Sequence, residues 1–448
     1  MWIFTRTCSL CAVFLCAGVS ASEPPSLAQI AAAPDAAQLR STVTALVGFG
    51  TRHTASDTAS STRGIGAARH WARTRLEQIS ADCGQCLTLV EPAQTITGDE
   101  MPAPTQVVDV VAIQKGYADP DRVIVLSGHI DSRVSDLRNA SADAPGADDD
   151  ASGVAVVIEA ARILSRYRFP ATIVYGVLSG EEQGLYGGKI LAQYAKAQGW
   201  RVEADLNNDI VGSPKGQNGV TNNTRVRVFS EGTRAAESAD EARQRQQEGG
   251  EDDSASRNLA RYVKATVERY LPNWNIALVY RPDRMDRGGD HLAFNEIGYP
   301  AVRFTESAED YRHQHQDLRT QDGIAYGDTI DHLDFAYLAR VAASNALAAA
   351  AMALAPPPPA TVKLTGAVSP DAQLAWKPAP GTTPASTYRV YWRETIETAW
   401  THARDVGRAQ SATLSNVVVD DYCFGVASVS ADGIESPVVY AGPPGAFP

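Results

Sequence analysis

Two runs of consecutive apolar residues constrain the fold of this chain most strongly, because they do not alternate with polar residues. They cover residues 123–127 and 172–178, and such runs are typical of strands that are buried on both faces of a sheet. Between them, residues 154–164 have the length and apolar character of a buried helix. A strand, a helix and a second strand in this order predict neighbouring parallel strands joined by a helical crossover.

The same alternation continues as far as residue 354. Further helices are predicted at residues 64–79, 185–199, 258–271 and 333–354, and further strands at 107–113, 203–211, 276–280 and 301–304. The pattern predicts an α/β fold, a three-layer sandwich with a mixed, largely parallel sheet. Residues 212–254 are polar apart from a strand near 226–230, so we expect a surface excursion or a lid there.

A proline run ends this pattern and introduces a different one. Residues 356–360 form a proline-rich linker, and short strands with turns follow over residues 361–448, which predicts an all-β sandwich. The positions of Trp376 in an early strand and Tyr422 in a late strand resemble the fibronectin type III fold. We therefore expect a first domain at residues 22–355 and a fibronectin type III-like domain at 361–448.

The N-terminus has the features of a secretory signal peptide. Arg6 precedes an apolar stretch at residues 10–19, and small residues lead to a cleavage site after Ala21. The stretch is too short to span a bilayer. We expect residues 1–21 to be removed and the protein to be secreted or periplasmic.

Cysteine usage agrees with an exported protein. Three of the six cysteines lie within the predicted signal peptide, and Cys83 and Cys86 form a Cys-Gly-Gln-Cys pair in the remainder. In an exported protein such a pair indicates a small disulfide rather than a redox centre. Cys423 stands alone and is expected to be a buried apolar residue.

Length and charge limit the class of function. A chain of 448 residues with a net charge of −12 is long enough for more than one domain and lacks the basic surface that phosphate binding needs. We expect a monomer that has no nucleic-acid partner and no stable membrane span.

Polar side chains follow the predicted strands at the points where those strands end. Since strands of an open α/β sheet present ligands at their carboxyl ends, these side chains are expected to converge. They are His129 and Asp131, Glu181 and Glu182, Asp209, and Glu306 with His313 further on, together with the run Asp148, Asp149 and Asp150 before the helix at 154–164.

The chemistry of this set points to metal ions. Three consecutive carboxylates repel one another unless cations lie among them. Mixed nitrogen and oxygen ligands suit zinc, and the number of carboxylates suits two ions rather than one. The adjacent Glu181 and Glu182 allow one to be a ligand and the other a base.

The motifs also resemble those of a known family. Gly-His-Ile-Asp-Ser, Pro-Gly-Ala-Asp-Asp-Asp-Ala-Ser-Gly, Gly-Glu-Glu-Gln-Gly, Asn-Asp-Ile-Val-Gly and His-Gln-His-Gln-Asp occur here in the order and rough spacing of metallopeptidase family 28. That family contains secreted di-zinc aminopeptidases and relatives of glutamate carboxypeptidase. The resemblance covers roughly residues 35–355.

The resemblance implies a role for each site residue. His129 and Asp209 would hold one zinc ion, Glu182 and His313 the other, and Asp149 would bridge them, with a cis peptide bond to Asp150. Glu181 would be the general base that deprotonates the bridging water and passes the proton to the leaving amine. Asp131 would orient His129 by accepting its second ring proton.

Three further assignments follow from the same resemblance. His313 is preferred to His315 because the family has an aspartate four residues after its ligand, and Asp317 fits only His313. Asp290 lies in a segment that resembles the family's Asp-His element beside the substrate pocket, although a helix-capping role is the alternative. In the secreted aminopeptidases a tyrosine often helps to polarise the substrate carbonyl, and two positions here correspond to it, since Asp286 falls near one such place and Tyr311 near another.

The functional hypothesis is an exported di-zinc aminopeptidase that acts on peptides or proteins. A carboxypeptidase or a glutaminyl cyclase on the same scaffold is the first alternative, and metal stoichiometry near two would argue against the cyclase. A non-catalytic binding protein is the second, but such a relative should have lost ligands. A serine hydrolase is disfavoured because Gly-x-Ser-x-Gly does not occur.

Overall fold

The computed structural model describes residues 26–448, so the predicted signal peptide and its three cysteines lie outside the described residues. The helices of the first domain pack around one large sheet. They are α1 (Leu27–Ala31), α2 (Ala36–Val47), α3 (Gly64–Asp82), α4 (Ala151–Leu164), α5 (Tyr186–Ala197), α6 (Ala239–Glu248), α7 (Ala255–Tyr270), α8 (His291–Glu296) and α9 (Phe335–Leu354).

The strands of this domain form an eight-stranded sheet and two small hairpins. They are β1 (Leu87–Val90), β2 (Ala93–Ile96), β3 (Thr105–Val108), β4 (Val110–Gln114), β5 (Asp119–His129), β6 (Ala171–Leu178), β7 (Arg201–Asn208), β8 (Arg225–Phe229), β9 (Asn275–Val279), β10 (Ala301–Glu306), β11 (Arg319–Gln321) and β12 (Ile324–Tyr326). The large sheet has the order β1-β4-β6-β5-β7-β10-β8-β9, and β2–β3 and β11–β12 pair separately.

The centre of the large sheet is parallel. β6, β5, β7 and β10 run in one direction, and β8 pairs with β9 in parallel as well. The remaining pairs, which involve β1, β4 and the β8–β10 contact, are antiparallel. The sheet is therefore mixed and largely parallel, as predicted, and the carboxyl ends of its four central strands meet at one edge.

Alternate residues of the buried strands explain the three layers. In β5, Ile124 and Leu126 point into the core that contains α4 and α9, whereas Val123 and Val125 point into the core that contains α5 and α8. Successive side chains of a strand face opposite sides of a sheet, so a continuous apolar run is what a strand covered on both faces requires.

Helix α9 is the apolar centre of one helical layer. Among residues 26–448 it alone has the length and mean hydropathy, 1.3, of a helix that could span a bilayer, and 83% of that window is buried inside the fold. Its N-terminus is capped by Asp334, whose carboxylate accepts hydrogen bonds from the backbone of Ala336 and Tyr337. We interpret α9 as a core helix.

Two segments of the first domain differ from the prediction. Residues 107–113 are divided at Asp109 between β3, which pairs with β2, and β4, which joins the large sheet. The polar segment 212–254 contains the unpredicted helix α6, which begins with a capping box formed by Ser238 and Glu241. Helix α6 packs against the turn at Pro443–Gly445.

The cysteine predictions for the described residues are confirmed. Cys83 and Cys86 form a disulfide directly after α3. Cys423 is free and buried.

The C-terminal part is an all-β sandwich. Its strands are β13 (Thr361–Thr365), β14 (Ala372–Lys377), β15 (Thr387–Glu394), β16 (His402–Gly407), β17 (Ser411–Leu414), β18 (Tyr422–Val429) and β19 (Val439–Tyr440). They form two antiparallel sheets, β13-β14-β17 and β16-β15-β18-β19. Trp376 of one sheet and Tyr388 of the other meet edge to face in a shared core, with ring centroids 5.6 Å apart.

A buried charge cluster joins the sandwich to the first domain. Arg393 of β15 donates two hydrogen bonds to Asp253, of 2.9 and 2.7 Å, and Arg261 of α7 donates a third, of 2.8 Å. Arg261 also donates to the carbonyl of Thr398 in the sandwich. The prolines at 357–359 are buried as well, so the linker is packed between the domains rather than extended into solvent.

Replacement of Arg393 by methionine should destabilise the protein, because Asp253 keeps its burial but loses two charge-assisted hydrogen bonds. Removal of one partner of a buried ion pair typically costs about 3–5 kcal/mol, and urea unfolding measures it. Asp405→Asn, which affects the largely exposed Arg389–Asp405 pair of β15 and β16, is the control and should have little effect. If both variants unfold at the same urea concentration, the buried cluster does not contribute this stability.

Candidate functional site

The central strands position the candidate site at their carboxyl ends. β5 ends at His129, β6 is followed by Glu181 and Glu182, and β7 is followed directly by Asp209. The loop before α4 brings Asp149 to the same edge. A loop after β10 supplies a histidine, so that side chains from five segments converge.

The first group of side chains consists of His129, Asp209 and Glu181. His129 Nε2 lies 3.8 Å from Asp209 Oδ2 and 4.0 Å from Glu181 Oε2. His129 is 1% exposed, so the three groups face one another in a place that bulk water hardly reaches.

The second group consists of Asp149, Glu182 and His315. His315 Nε2 lies 2.9 Å from Asp149 Oδ2 and 3.2 Å from Glu182 Oε2. Asp149 also reaches the first group, because its Oδ1 lies 3.1 Å from His129 Nε2. One carboxylate therefore has an oxygen in each group, which is the arrangement expected of a bridging ligand.

Local hydrogen bonds hold Asp149 in this position. Asp150 caps α4 by accepting from the backbone N–H of Gly153, and its other oxygen accepts from the backbone N–H of His129. Asp328 accepts from the backbone N–H groups of Asp148 and Asp149. The peptide bond between Asp149 and Asp150 is cis, as predicted.

Asp131 mainly positions the two glutamates. Its carboxylate accepts hydrogen bonds from the backbone N–H groups of Gly180, Glu181 and Glu182, at 2.9, 3.3 and 3.1 Å. His129 Nδ1 lies 3.6 Å from that carboxylate but 3.1 Å from the backbone carbonyl of Asp131. Residue 131 thus orients the histidine as expected, with the carbonyl as the nearer acceptor.

The assignment of His313 as a ligand is wrong in this geometry, and His315 takes its place. His313 donates from Nδ1 to the carbonyl of Gly327, and its ring stacks on His332 at a centroid distance of 3.7 Å. Asp317, which guided the choice, accepts a hydrogen bond from Ser135. The backbone at His315 is left-handed, with φ of 53°, so the segment that carries both histidines is not extended.

The two expected substrate-pocket residues also lie elsewhere. Asp290 is fully buried and accepts a hydrogen bond from the backbone N–H of Gly188, and burial raises its pKa to about 7. Tyr311 is 58% exposed. Neither residue lines the cavity at the site.

The buried carboxylates of the site have strongly shifted pKa values. Burial raises the pKa of Glu181 well above its ordinary value, with Asp209 and Glu182 as further causes. Although burial opposes ionisation of Asp149, His315 and His129 hold its pKa well below the ordinary range. The site thus crowds buried carboxylates against one another and against two histidines.

Two buried atoms without a well-aligned hydrogen bond test whether this donor set fits metal ions. Glu182 Oε1 and His129 Nε2 are buried and make no well-aligned hydrogen bond, His129 Nε2 having only the contact of 3.1 Å with Asp149 Oδ1, although buried polar atoms are nearly always paired. One is in each group, and imidazole nitrogen and carboxylate oxygen are both ligands of divalent metals. The residues therefore fit a pair of metal ions that share Asp149.

A cavity of about 420 Å³ opens beside the two groups. Its lining includes Arg133, Arg284 and Arg287 in addition to the ligand-type side chains. The sequence analysis did not identify these arginines. Arg133 lies four residues after His129, and Arg287 begins the segment that resembles the family's Asp-His element, whereas Arg284 belongs to none of the motifs.

Comparisons with known proteins agree with this geometry. The model of the family described as Peptidase family M28 matches residues 109–341. A probable zinc metalloprotease of Pyrenophora teres f. teres is 42% identical over 412 residues, which are 91% of this chain and 85% of that protein. Another from Pyricularia oryzae is 44% identical over 410 residues, 90% of this chain and 82% of that protein.

A solved structure shows the same fold at lower identity. The LapA aminopeptidase of Legionella pneumophila has a TM-score of 0.52 and 19% identity, and the match covers 77% of this chain and 76% of that one. The curated relatives match over more residues than the 355 that precede the proline run, so their similarity extends into the C-terminal sandwich.

Proposed function

The chain belongs to peptidase family M28, and from this we propose that it is a zinc-dependent aminopeptidase with two metal ions per chain. The observation that carries the proposal is the pair of ligand groups that share Asp149, each with a buried ligand atom that makes no well-aligned hydrogen bond. The curated relatives named as zinc metalloproteases support the choice of metal, as does the mixture of nitrogen and oxygen ligands.

The geometry supports one assignment of ligands. His129 and Asp209 would hold the first ion, Glu182 and His315 would hold the second, and Asp149 has an oxygen near each group. Asp131 positions this set through the backbone of Gly180–Glu182 and through His129 Nδ1. Such outer contacts fix the tautomer and orientation of a metal-binding histidine.

Glu181 is the proposed general base. When bound, zinc acts as a Lewis acid toward the scissile carbonyl and makes water acidic enough to attack near neutral pH. Glu181 lines the cavity next to both groups, where its carboxylate can take a proton from the attacking water and return it to the leaving amine.

Metal removal should test the proposal directly. We expect purified protein to contain about two zinc ions per chain by elemental analysis, to hydrolyse amino-acid anilides, and to lose that activity in a chelator. Zinc should restore it. Anilides and peptides with blocked N-termini should not be cleaved, whereas cleavage only from the C-terminus would favour a carboxypeptidase and one ion per chain would favour a glutaminyl cyclase.

We also propose that the protein is exported and that residues 1–21 are removed on the way. The charged and apolar pattern before Ala21 supports this, and so does the disulfide of Cys83 with Cys86. N-terminal sequencing of protein recovered from the culture medium or periplasm should give Ser22. An intact Met1 on the recovered protein would contradict it.

For the C-terminal sandwich, we propose a fibronectin type III-like module. Its first, second and fifth strands form one sheet and the other four form the second sheet, with Trp376 in the shared core. This division is that of a seven-stranded Greek-key sandwich.

A further inference from the structure

The cavity wall beside the proposed metal site is basic. Apart from the proposed metal ligands and Glu181, every charged residue of its lining is an arginine: Arg133, Arg284 and Arg287. Arg284 and Arg287 lie in the loop between β9 and α8, and Arg133 lies in the loop after β5.

Arg284 is buried without full use of its donors. Its side chain is 9% exposed, its Nε lies 3.1 Å from Asp283, and its Nη2 donates to the carbonyl of Gly288 at 3.3 Å. Its Nη1 is buried and makes no hydrogen bond, and its nearest acceptor is Glu309 Oε2, an ion-pair partner 3.5 Å away. A buried guanidinium with an unpaired N–H group is costly, and a ligand in the cavity that Arg284 lines would provide an acceptor.

Behind Arg284 and Arg287, guanidinium groups outnumber the carboxylates that pair with them, when Arg227 and Arg303 are included. Glu309 alone is shared by Arg227, Arg284 and Arg287. Arg303 pairs with Asp209 and Asp283, at 2.7 and 3.3 Å. Four guanidinium groups therefore face three carboxylates, and one of these, Asp209, is a proposed metal ligand.

The direction of the Arg284 pKa shift agrees with this excess of positive charge. Burial lowers its pKa, and the neighbouring guanidinium groups of Arg303 and Arg287 lower it further. Arg287 uses Nη1 for Glu309 and for Gln314 Oε1 at 2.9 Å, and its side chain is 27% exposed, so it remains accessible to a ligand.

We propose that Arg284 and Arg287 bind a carboxylate of the substrate next to the scissile bond, so that the enzyme prefers substrates with an anionic group at that place. This inference rests on the proposed peptidase function. The planar guanidinium fork matches a carboxylate and binds it through two hydrogen bonds. A free amine on this wall would meet like charge, and an apolar side chain would leave the Arg284 donor unpaired.

Arg133 is the third member of the wall. Its Nε donates to Glu182 Oε2 at 2.8 Å, and its Nη2 lies 2.5 Å from His315 Nδ1. Arg133 therefore contacts two of the proposed ligands and lines the cavity beside them.

Two sources can supply the carboxylate, and paired substrates distinguish them. The first pair is the p-nitroanilide of glutamate against that of glutamine, which tests the side chain of the N-terminal residue. The second is Leu-Gly against Leu-Gly amide, which tests the α-carboxylate after the scissile bond. For one of these pairs we expect kcat/KM to be roughly 10- to 100-fold higher for the acid, the range of a charge-assisted hydrogen bond.

Substitutions of the two arginines test whether they cause the preference for the acid substrate. Arg284→Gln and Arg287→Gln should each reduce the acid-to-amide ratio of kcat/KM toward one. Arg312→Gln is the matched control, because this arginine is paired with Asp310 outside the cavity lining, and its ratio should equal that of the wild type.

A binding measurement keeps the inference independent of turnover and of variant folding. Isothermal titration compares the acid with the amide in each pair. The zinc-loaded wild type is titrated with glutamate and with glutamine, and the zinc-loaded Glu181→Gln variant with Leu-Gly and with its amide. The acid should bind more tightly in one pair. If no substrate is hydrolysed, the proposed function fails and this titration still decides the carboxylate preference.

Two results would overturn the proposal. One is equal binding and equal kcat/KM for acid and amide in both pairs. The other is an equal loss of kcat on acid and amide substrates in Arg284→Gln, which would assign that residue to the negative charge developing on the carbonyl oxygen rather than to a substrate carboxylate.

Discussion

Replacing Glu181 with glutamine is expected to lower kcat by at least roughly 100-fold, the smaller end of the effect of a positioned general base. The amide has nearly the same shape and fills the same place in the cavity wall, but it cannot accept the proton of the attacking water. Zinc content should be unchanged, because the proposed ligands remain. Elemental analysis and anilide hydrolysis of the same preparation measure both quantities.

A second substitution at the same position separates the base from the shape of the site. Glu181→Asp keeps a carboxylate but shortens its reach, so its kcat should lie between those of the wild type and Glu181→Gln. If Glu181→Gln instead loses a metal ion, Glu181 is a ligand of the group it forms with His129 and Asp209, and the base must be sought elsewhere.

The parts of the fold that follow from burial were readable from the sequence. The continuous apolar runs predicted β5 and β6 because a strand covered on both faces has no polar side. The helix α6 was missed although its signal was present, since Ser238 and Glu241 have the spacing of a capping box. Its polar composition outweighed that local signal in the prediction.

The candidate site, too, could be predicted from the sequence only in part. His129, Glu181, Glu182 and Asp209 directly follow strands whose direction was predicted, so their convergence followed from the topology of the sheet. The choice between His313 and His315 depends instead on a loop and on one left-handed residue, and sequence spacing does not determine which ring turns inward. The resemblance to the family selected the wrong one through Asp317.

The sequence analysis assigned no role to the arginines of the cavity. Arg284 and Arg287 reach the site from a loop after β9, a strand at the edge of the sheet. Their importance comes from the number of carboxylates around them, and that number is a property of the packed structure. Asp290 shows the reverse case, because a plausible motif position proved to be fully buried.

Substitutions of His315 and His313 test the proposed ligand assignment most directly. In His315→Ala we expect the zinc content to fall from about two ions per chain to about one, because Glu182 and a shared Asp149 hold the second ion poorly alone. Loss of an outer-shell contact already costs roughly 10- to 100-fold in affinity, so loss of a ligand should cost more. Competitive titration with a zinc chelator measures the affinity, and turnover should fall with it.

His313→Ala is the matched control, since it removes the same side chain two residues away. Its losses are the hydrogen bond to Gly327 and the stacking on His332, which contribute to the stability of the loop rather than to the ligand set. Zinc content and anilide hydrolysis should remain near the wild-type values. If His313→Ala loses zinc and His315→Ala keeps it, the loop adopts a different register in the metal-loaded enzyme, and the ligand assignment from this geometry is wrong.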